Sequence, residues 1–460
     1  MTTRRRFLAS TAAVLAFPTL IPASALGREN KPAPANRITL GIVGCGGQGL
    51  SNMESFFTQK DCQVLAACDV DKKRVQTAIG KINNHHQNQD AKAYNDYREL
   101  MARKDIDAVM LAVPDHWHGL VAVEAARRKK DIYGEKPLAR TLGEQQAIVK
   151  AVQKNHRIWQ TGSWQRSLSN FRKAAEIVRN GLIGKVTRVE VGLPSGHNDS
   201  GKTAQALLTR MGKDREKQEY LATVVPGMPE WDLAVTGPPP GLDFNMWLGP
   251  ARKEPYIEAR IHKNWRWNYN TGGGQLMDWI GHHCDIAHWG CDFDNSGPIE
   301  VEAHGEFPPQ DAIWNTCTKY RAELKYPRDI QMTIAGGHPD IRPGTKWIGT
   351  DGWVHVNRGV FEGSNEEWRD YLNLPDEMRK VKLYESHDHY RNFLDCVKSR
   401  KPTITPVQTA HHSAIPGHLM LISMLVGRKL RWDAKAERIL HDAEATKLIM
   451  RDYRAPWTLA

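Results

Sequence analysis

The segment that follows three consecutive glycines, residues 272–274, carries acid–base groups at helical spacing. Asp278, His282 and Asp285 stand at positions i, i+4 and i+7, so they would share one face of a helix. A carboxylate one turn from an imidazole can orient the ring and raise its pKa, which produces a general base near neutral pH. The spacing alone is equally compatible with a purely structural His–Asp pair.

The same segment is rich in residue types that bind metals: His282, His283, Cys284, Asp285 and His288. Of these, His282 and Asp285 could share an ion, but no third or fourth ligand is fixed by the spacing. We therefore expect acid–base chemistry at this helix and no metal.

A second chemical signature follows an apolar run at residues 38–43. The sequence there is a glycine-rich loop: Gly44-Cys45-Gly46-Gly47-Gln48-Gly49. A helix-compatible segment and a second apolar run come next, and that run ends in Asp69, 20 residues after Gly49. This order is typical of a dinucleotide-binding unit, in which the glycines admit a pyrophosphate at a helix N-terminus.

Asp69 would bind the ribose hydroxyls of the nucleotide. An ionised carboxylate there repels a 2′-phosphate, so the sequence favours NAD over NADP. The cations Lys72, Lys73 and Arg74 are the residues that would accommodate NADP instead.

Further apolar runs at residues 107–113 and 131–134 predict additional parallel strands. The first is followed by Pro114–His118 and the second by Glu135–Pro137. Ligands of such sheets bind beyond the carboxyl ends of the strands. We therefore expect a second set of cofactor-binding residues beside the nicotinamide, formed by Pro114, His118, Glu135 and Lys136.

The 460 residues are enough for two or three domains. We predict a signal peptide and linker at 1–36, an NAD-binding domain with a doubly wound parallel sheet at 37–160, and an α+β domain with an open-faced, largely antiparallel sheet at 161–460. Apolar runs at 185–192 and 329–335 predict strands of the second sheet. Residues 198–240 suggest a surface excursion, and 384–460 a helical tail that docks on the body.

Tryptophan is unusually frequent, with 15 residues against 10 phenylalanines. Flat aromatic faces suit the C–H faces of sugars, and the indole N–H can bond hydroxyls. The tryptophans that flank the candidate catalytic segments are Trp231, Trp247, Trp265, Trp267, Trp279 and Trp289. Our candidates for substrate binding are Arg166, His197, Arg260, Trp265 and Tyr269, together with Asp278 and His282.

The N-terminus has the pattern of a twin-arginine export signal. Arg4, Arg5 and Arg6 precede an apolar stretch at 7–21 that is too short to span a bilayer comfortably, and Ala23-Ser24-Ala25 offers a cleavage site. We expect a periplasmic or extracytoplasmic protein, exported in the folded state, without a stable membrane span.

Composition narrows the class of protein further. A hydrophobic fraction of 40% with 25% charged residues is globular and excludes disordered and multi-span proteins. The net charge of +11 is thinly spread, which argues against a nucleic-acid partner. The seven cysteines are odd in number and lack CxxC spacing, so we expect free, mostly buried thiols.

Taken together, these motifs resemble the Gfo/Idh/MocA oxidoreductase family, in its exported, tryptophan-rich branch. The segments that carry the resemblance are the glycine loop at 44–49, Asp69, Pro-Asp-His-Trp-His at 114–118, Glu-Lys-Pro at 135–137, the 273–285 helix and Arg-Ala-Pro-Trp at 454–457. The chain departs from the family pattern at one position. The family usually has a glycine two residues after the aspartate, but here the glycine, Gly281, lies three residues after Asp278, which slightly weakens the role of His282 relative to His283.

The resemblance implies homo-oligomers, dimers or tetramers, formed through the open sheet. It also implies that His282 takes the proton of a sugar hydroxyl while hydride passes from that carbon to the nicotinamide. Lys136 would stabilise the oxygen, Asp278 would orient His282 and could share its role as base, and His118 and Pro114 would shape the nicotinamide pocket.

The leading hypothesis is a sugar or glycoside oxidoreductase with a tightly held cofactor. The alternatives are a redox-neutral NAD-dependent glycosidase or epimerase that works through a keto-sugar, and a non-catalytic sugar or nucleotide sensor. In the glycosidase branch a valine commonly replaces the residue at Lys136, so the lysine favours net oxidation or reduction.

Overall fold

The computed structural model describes residues 32–33, 36–197, 237–308, 312 and 314–459. The predicted export signal and most of the predicted excursion at 198–240 lie outside the described residues.

The N-terminal domain is built on one parallel sheet in the order β3-β2-β1-β4-β5-β6. Its strands are β1 Ile38–Val43, β2 Cys62–Cys68, β3 Lys92–Tyr94, β4 Ala108–Leu111, β5 Asp131–Gly134 and β6 Trp159–Thr161. The helices that alternate with them are α1 Gly47–Phe57, α2 Lys72–His86, α3 Tyr97–Met101, α4 Asp115–Arg127 and α5 Leu142–Lys154. This is the predicted doubly wound fold.

The central strands are apolar because helices cover both faces of the sheet. Every residue of β4 and β5 is buried, and Phe56, Tyr133 and Phe393 pack edge to face beneath β1. The chain order reverses between β1 and β4, which are adjacent in the sheet. Ligands of doubly wound sheets bind in the crevice at this switch point, beyond the strand ends.

The second domain contains a nine-stranded sheet in the order β13-β12-β11-β7-β10-β9-β8-β14-β15. Its strands are β7 Val186–Leu193, β8 Glu300–Glu306, β9 Lys319–Lys325, β10 Gln331–Gly336, β11 Gly344–Gly349, β12 Trp353–Asn357, β13 Val360–Gly363, β14 Leu430–Asp433 and β15 Arg438–Ile439. Only β7 and β10 pair in parallel, so the prediction of a largely antiparallel sheet is confirmed.

Helices cover one face of this sheet. They are α6 Ser169–Arg179, α8 Gly274–Cys291 and α10 Val407–Val426. Of these, α8 is central because it packs against α6, α10 and β7. The remaining helices are α7 Phe244–Leu248, α9 His389–Ser399, which packs on the core of the N-terminal sheet, and α11 Ala443–Lys447. On the other face of the sheet, every second side chain of a strand points outward, and many of these are charged, such as Arg321 and Glu323 on β9.

The C-terminal tail differs from the helical segment predicted at 384–460. It contains α9 and α10, but Leu430–Asp433 turns back as a strand that pairs with β8. Beyond α11, Tyr453 and Trp457 pack on the core of the N-terminal domain. The tail therefore ties the two domains together.

All seven cysteines are buried and none is in a disulfide, as the odd count predicted. Over the described ranges, no helix combines the length and the apolar character needed to cross a bilayer.

Candidate functional site

A cavity of about 790 Å³ opens where the carboxyl ends of the parallel strands meet α8. The predicted residues that line it are Gly44, Gly46, Gly47, Gln48, Asp69, Pro114, Glu135, Lys136, His197, Trp265, Asp278 and His282. The structure therefore brings the glycine loop and the acid–base segment, more than 220 residues apart in the chain, to one site.

The glycine loop has the shape of a cradle for a pyrophosphate. Gly44 has φ +93°, and a Cβ there would lie 2.4 Å from the carbonyl oxygen of Ala112. A Cβ at Gly49 would lie 1.9 Å from the oxygen of Gly44, so this glycine packs α1 on the loop and does not line the cavity. At Gly47, the first residue of α1, a Cβ would meet only open space.

The donors of this cradle are backbone N–H groups. The N-cap of α1 is Gly46, and no side chain caps the helix, so its first amides are available to an anion. The residues present therefore fit the diphosphate of a dinucleotide.

Asp69 lies at the end of β2, where its buried carboxylate secures the loop. It accepts hydrogen bonds from the N–H groups of Cys45 at 2.7 Å and Asp71 at 2.9 Å. Burial raises the pKa of Asp69 above its ordinary value, and these two amides oppose the rise. Nearby, Arg74 donates to the Nδ1 of His262 at 2.6 Å across the cavity rim.

A substitution at Gly47 should separate cofactor binding from folding. We expect Gly47→Ala to fold normally but to lose roughly tenfold in nucleotide affinity, about 1.4 kcal/mol, because its methyl group enters the cradle. The matched control is Gly80→Ala in α2, an exposed helical glycine that also has open space around it. It should gain about 0.5–1 kcal/mol in stability with unchanged affinity. Titration calorimetry and urea unfolding of both variants measure this, and equal affinities would contradict it.

The start of α8 is fixed by the segment after β4. His116 donates its backbone N–H to the oxygen of Thr271 at 3.2 Å, and Asp115 accepts from the N–H of Gly273 at 3.3 Å. Gly274 then adopts φ +70° to enter the helix. The two domains are thus joined beside the residues that carry the chemistry.

Lys136 is held by Asp278 in the second turn of α8. Its Nζ donates to the backbone oxygen of Asp278 at 2.9 Å and to Oδ1 of Asp278 at 2.8 Å. Arg266 donates to the same Oδ1 at 3.0 Å. Burial alone would raise the pKa of Asp278, but Lys136 and Arg266 outweigh it and hold the pKa far below its ordinary value. The carboxylate is therefore permanently ionised.

Gly281 allows Lys136 to approach α8. A Cβ at Gly281 would lie 3.3 Å from the Cβ of Lys136, on the same helical face as Asp278. The displaced glycine therefore does not weaken His282, because His282 lines the cavity and its neighbour His283 does not.

Asp278 does raise the pKa of His282, but the expectation of a base with a pKa near neutral is wrong. Burial, together with Lys136 and Arg358, lowers this pKa well below 6.5, and Asp278 opposes the shift only weakly. Asp278 accepts from Lys136 and Arg266 rather than from His282, whose buried Nδ1 lacks a hydrogen-bond partner within the described part of the chain. Asp278 therefore positions Lys136 instead of orienting the imidazole, which is neutral.

Three predicted substrate-binding residues lie outside the cavity. Arg166 is 2% exposed and forms ion pairs with Asp285 and Asp294, so Asp285 does not act with His282. Arg260 is 4% exposed and pairs with Glu254. The ring of Tyr269 lies under the guanidinium of Arg140, at 4.2 Å.

His118 also misses the cavity. Because α4 begins at Asp115, the chain turns immediately after Pro114, and His118 bonds the oxygen of Val113 at 2.9 Å. Trp117 lines the cavity in its place. Glu135 does line it, as a buried carboxylate that accepts from Asn52 at 2.8 Å and whose pKa burial raises.

Several residues of the cavity wall were not predicted from the sequence: Trp117, Trp164, His262, Lys263 and Arg358. Arg74, named above as a residue that would accommodate NADP, also lines the cavity. Trp164 precedes α6 and Arg358 lies between β12 and β13, and the packing of α6 on these two strands brings them together. For Trp117 the signal was present, since it lies within the Pro114–His118 segment. Of the predicted tryptophans, Trp247, Trp265, Trp267 and Trp279 line the cavity, Trp289 does not, and Trp231 is outside the described residues.

Among the described residues, no group of three or more His, Cys, Asp or Glu side chains is arranged to hold a metal ion.

Curated relatives match only part of the chain. Inositol 2-dehydrogenase from Salmonella typhimurium is 34% identical over 147 residues, 32% of this chain and 42% of that protein. A glycosyl hydrolase family 109 protein from Shewanella putrefaciens is 28% identical over 208 residues, 41% of this chain and 45% of that protein. The chain thus spans less than half of the length of these relatives.

Solved structures match over both domains. WlbA dehydrogenase from Bordetella pertussis, solved with NADH and UDP-GlcNAcA, gives a TM-score of 0.60 at 16% identity, over 86% of this chain and 98% of that one. Aldose-aldose oxidoreductase from Caulobacter crescentus gives a TM-score of 0.57 at 15% identity, over 86% of this chain and 99% of that one. At these identities the likeness shows the fold.

Two domain families account for most of the chain. The oxidoreductase family's NAD-binding Rossmann fold matches residues 38–163, and its C-terminal alpha/beta domain matches residues 228–459. Both assignments agree with the two sheets and with the cavity between them. The chain belongs to the Gfo/Idh/MocA family of oxidoreductases.

Proposed function

We propose that this protein oxidises or reduces a hydroxyl-bearing carbon of a sugar or glycoside, with NAD as its cofactor. The observation that carries this proposal is the meeting of Lys136 and His282 in one cavity with the glycine cradle. The names of the relatives support a carbohydrate substrate, since they include an inositol dehydrogenase. Asp69 supports NAD over NADP, because its buried carboxylate disfavours a second phosphate at the ribose.

Two side chains, His282 and Lys136, act on the reacting hydroxyl in different ways. A nicotinamide, bound next to the residues that follow β4 and β5, would accept or return the two electrons and the hydrogen of the C–H bond. Neutral His282 removes the hydroxyl proton while hydride leaves the same carbon, and the loss of both converts the alcohol to a carbonyl. The Lys136 ammonium, fixed by Asp278, stabilises the negative charge that develops on the same oxygen.

The pH dependence of kcat/KM should report the lowered pKa of His282. A base is lost only when it is protonated, and protonation of His282 requires a pH well below 6.5. We therefore expect the acid limb of the profile to have its midpoint below pH 6.5 and to move upward in Arg358→Gln, which loses one of the cations that lower this pKa. An acid limb at or above 6.5 in the unchanged protein would exclude His282 as the base in this environment.

The nucleotide carried by the purified protein tests the proposal most directly. We propose that the cofactor is captive, loaded before export through the twin-arginine signal, and recycled on the protein by a second substrate or by return of hydride. The protein is denatured after purification, and the released nucleotide is identified by mass and by its near-ultraviolet band. Stoichiometric NAD(H) supports a captive cofactor. A protein that is empty and does not bind added NAD(P) contradicts the oxidoreductase proposal and favours a sensor.

A redox-neutral glycosidase is the second candidate. Similarity to family 109 glycosyl hydrolases favours it, and Lys136 argues against it. Release of free sugar from an aryl glycoside without net formation of NADH would make the glycosidase the leading candidate.

The homo-oligomer expected from the family is also a proposal, and light scattering of the mature protein tests it.

A further inference from the structure

Arg358 lies at the mouth of the cavity, on the hairpin between β12 and β13. Its guanidinium carbon is 4.6 Å from the ring centroid of Trp164 and 4.8 Å from that of Trp279. The Trp279 ring is also 5.4 Å from the ring of His282. The guanidinium and the proposed catalytic base therefore both lie against one indole, that of Trp279.

Within the described part of the chain, Arg358 forms no ion pair, although the Asp278 carboxylate acts on it at a longer distance. Its neighbours on the sheet differ, since Arg342 pairs with Glu362 and Arg321 with Asp340. An arginine that stacks its flat face on an indole keeps its N–H donors along the edge. The exposed edge of Arg358 can thus form a bidentate contact with an incoming anion.

The whole wall contributed by the second domain is cationic. Its described residues line the cavity with Lys263, Arg266 and Arg358 against one carboxylate, Asp278. That carboxylate is already shared by Lys136 and Arg266. Because Asp278 already accepts from Lys136 and Arg266, Arg358 is a cation of this wall whose donors a substrate anion could take up.

We propose that the substrate is an acidic sugar of the uronic acid type, whose carboxylate binds Arg358 while its reacting hydroxyl lies at Lys136 and His282. A carboxylate matches the planar fork of the guanidinium, and the indoles of Trp164 and Trp279 hold that fork in place. This inference rests on the proposed sugar chemistry of the site.

Matched pairs of methyl glycosides test it on the full-length protein with its bound cofactor: glucuronoside against glucoside, and galacturonoside against galactoside. Binding is followed by tryptophan fluorescence, and turnover by the absorbance of reduced nicotinamide. We expect the acidic member of a pair to bind more tightly by about 10- to 100-fold, and Arg358→Gln to abolish that preference. Arg358→Lys should restore only part of it, because the fork is lost.

The control is Lys346→Gln, which removes another cation held over an indole of the same sheet, 4.6 Å from Trp353 and outside the cavity. It should leave the preference intact. Any change in the pKa of His282 in Arg358→Gln affects both members of a pair equally, so the ratio isolates recognition.

The outcomes separate this inference from the function on which it rests. Reduction of the nucleotide by neutral and acidic sugars alike, unaffected by Arg358→Gln, overturns the acidic substrate and leaves the oxidoreductase standing. Acid-selective binding that depends on Arg358 without any reduction supports the subsite and contradicts the oxidoreductase. Equal binding within every pair, or a preference for sulfated or phosphorylated sugars over uronosides, overturns the carboxylate assignment.

Discussion

Replacing Lys136 with methionine should lower kcat by about 10³-fold while leaving cofactor content unchanged. Methionine keeps the volume of the side chain but removes the ammonium that the Asp278 carboxylate holds at the reacting oxygen. Asp278 retains Arg266 as a partner, so the fold should tolerate the change. Single-turnover reduction of the bound nucleotide by the best sugar of the panel measures the loss.

Asp278→Asn provides the matched comparison. Lys136 would keep its bond to the backbone oxygen of residue 278, at 2.9 Å, and lose only the ion pair. We therefore expect a smaller loss, on the order of tenfold. If Lys136→Met remained within a few-fold of the unchanged protein, Lys136 would not be catalytic. If it also still cleaved an aryl glycoside, the redox-neutral candidate would gain.

The parts that could be predicted from sequence are those encoded in contiguous residues. The glycine loop, the strand before it and Asp69 form one local unit, so β1 begins and ends as expected, at Ile38 and Val43. The presence of an open, largely antiparallel sheet in the second domain could also be predicted. Its register could not, because pairing of β7 with β10 and β11 joins segments more than 130 residues apart.

The errors concern side chains whose partners lie far away in the chain. Asp278 and His282 have helical spacing, yet the carboxylate accepts from Lys136 and Arg266 because two cations compete for it more strongly than a neutral imidazole. Arg358 could not be selected, since nothing around it in the sequence marks it. Its position follows only from the hairpin that places it over Trp164 and Trp279.

Arg166 shows this kind of error most clearly, because an arginine can bind either the anionic group of a substrate or a buried carboxylate of the protein. Its guanidinium donates to Asp285 at 2.7 Å and 2.9 Å, and to Asp294 at 2.7 Å and 2.8 Å. Burial raises the pKa of Asp285 to about 6 even with Arg166 beside it, so this carboxylate is poorly solvated. The group stabilises α8 from behind the cavity.

Arg166→Met should therefore lower the free energy of unfolding by about 3–5 kcal/mol, since it leaves Asp285 buried without a counter-ion. Adding Asp285→Asn to it should recover part of the loss, because the stranded charge is then removed. The control is Arg128→Met, an arginine whose side chain is 53% exposed and whose ion pair with Glu124 should cost at most about 1 kcal/mol. Urea unfolding measures all three. A substrate-binding Arg166 would give the opposite pattern, with unchanged unfolding and a raised KM, and in that case the ion pairs described here would not be what holds this part of α8.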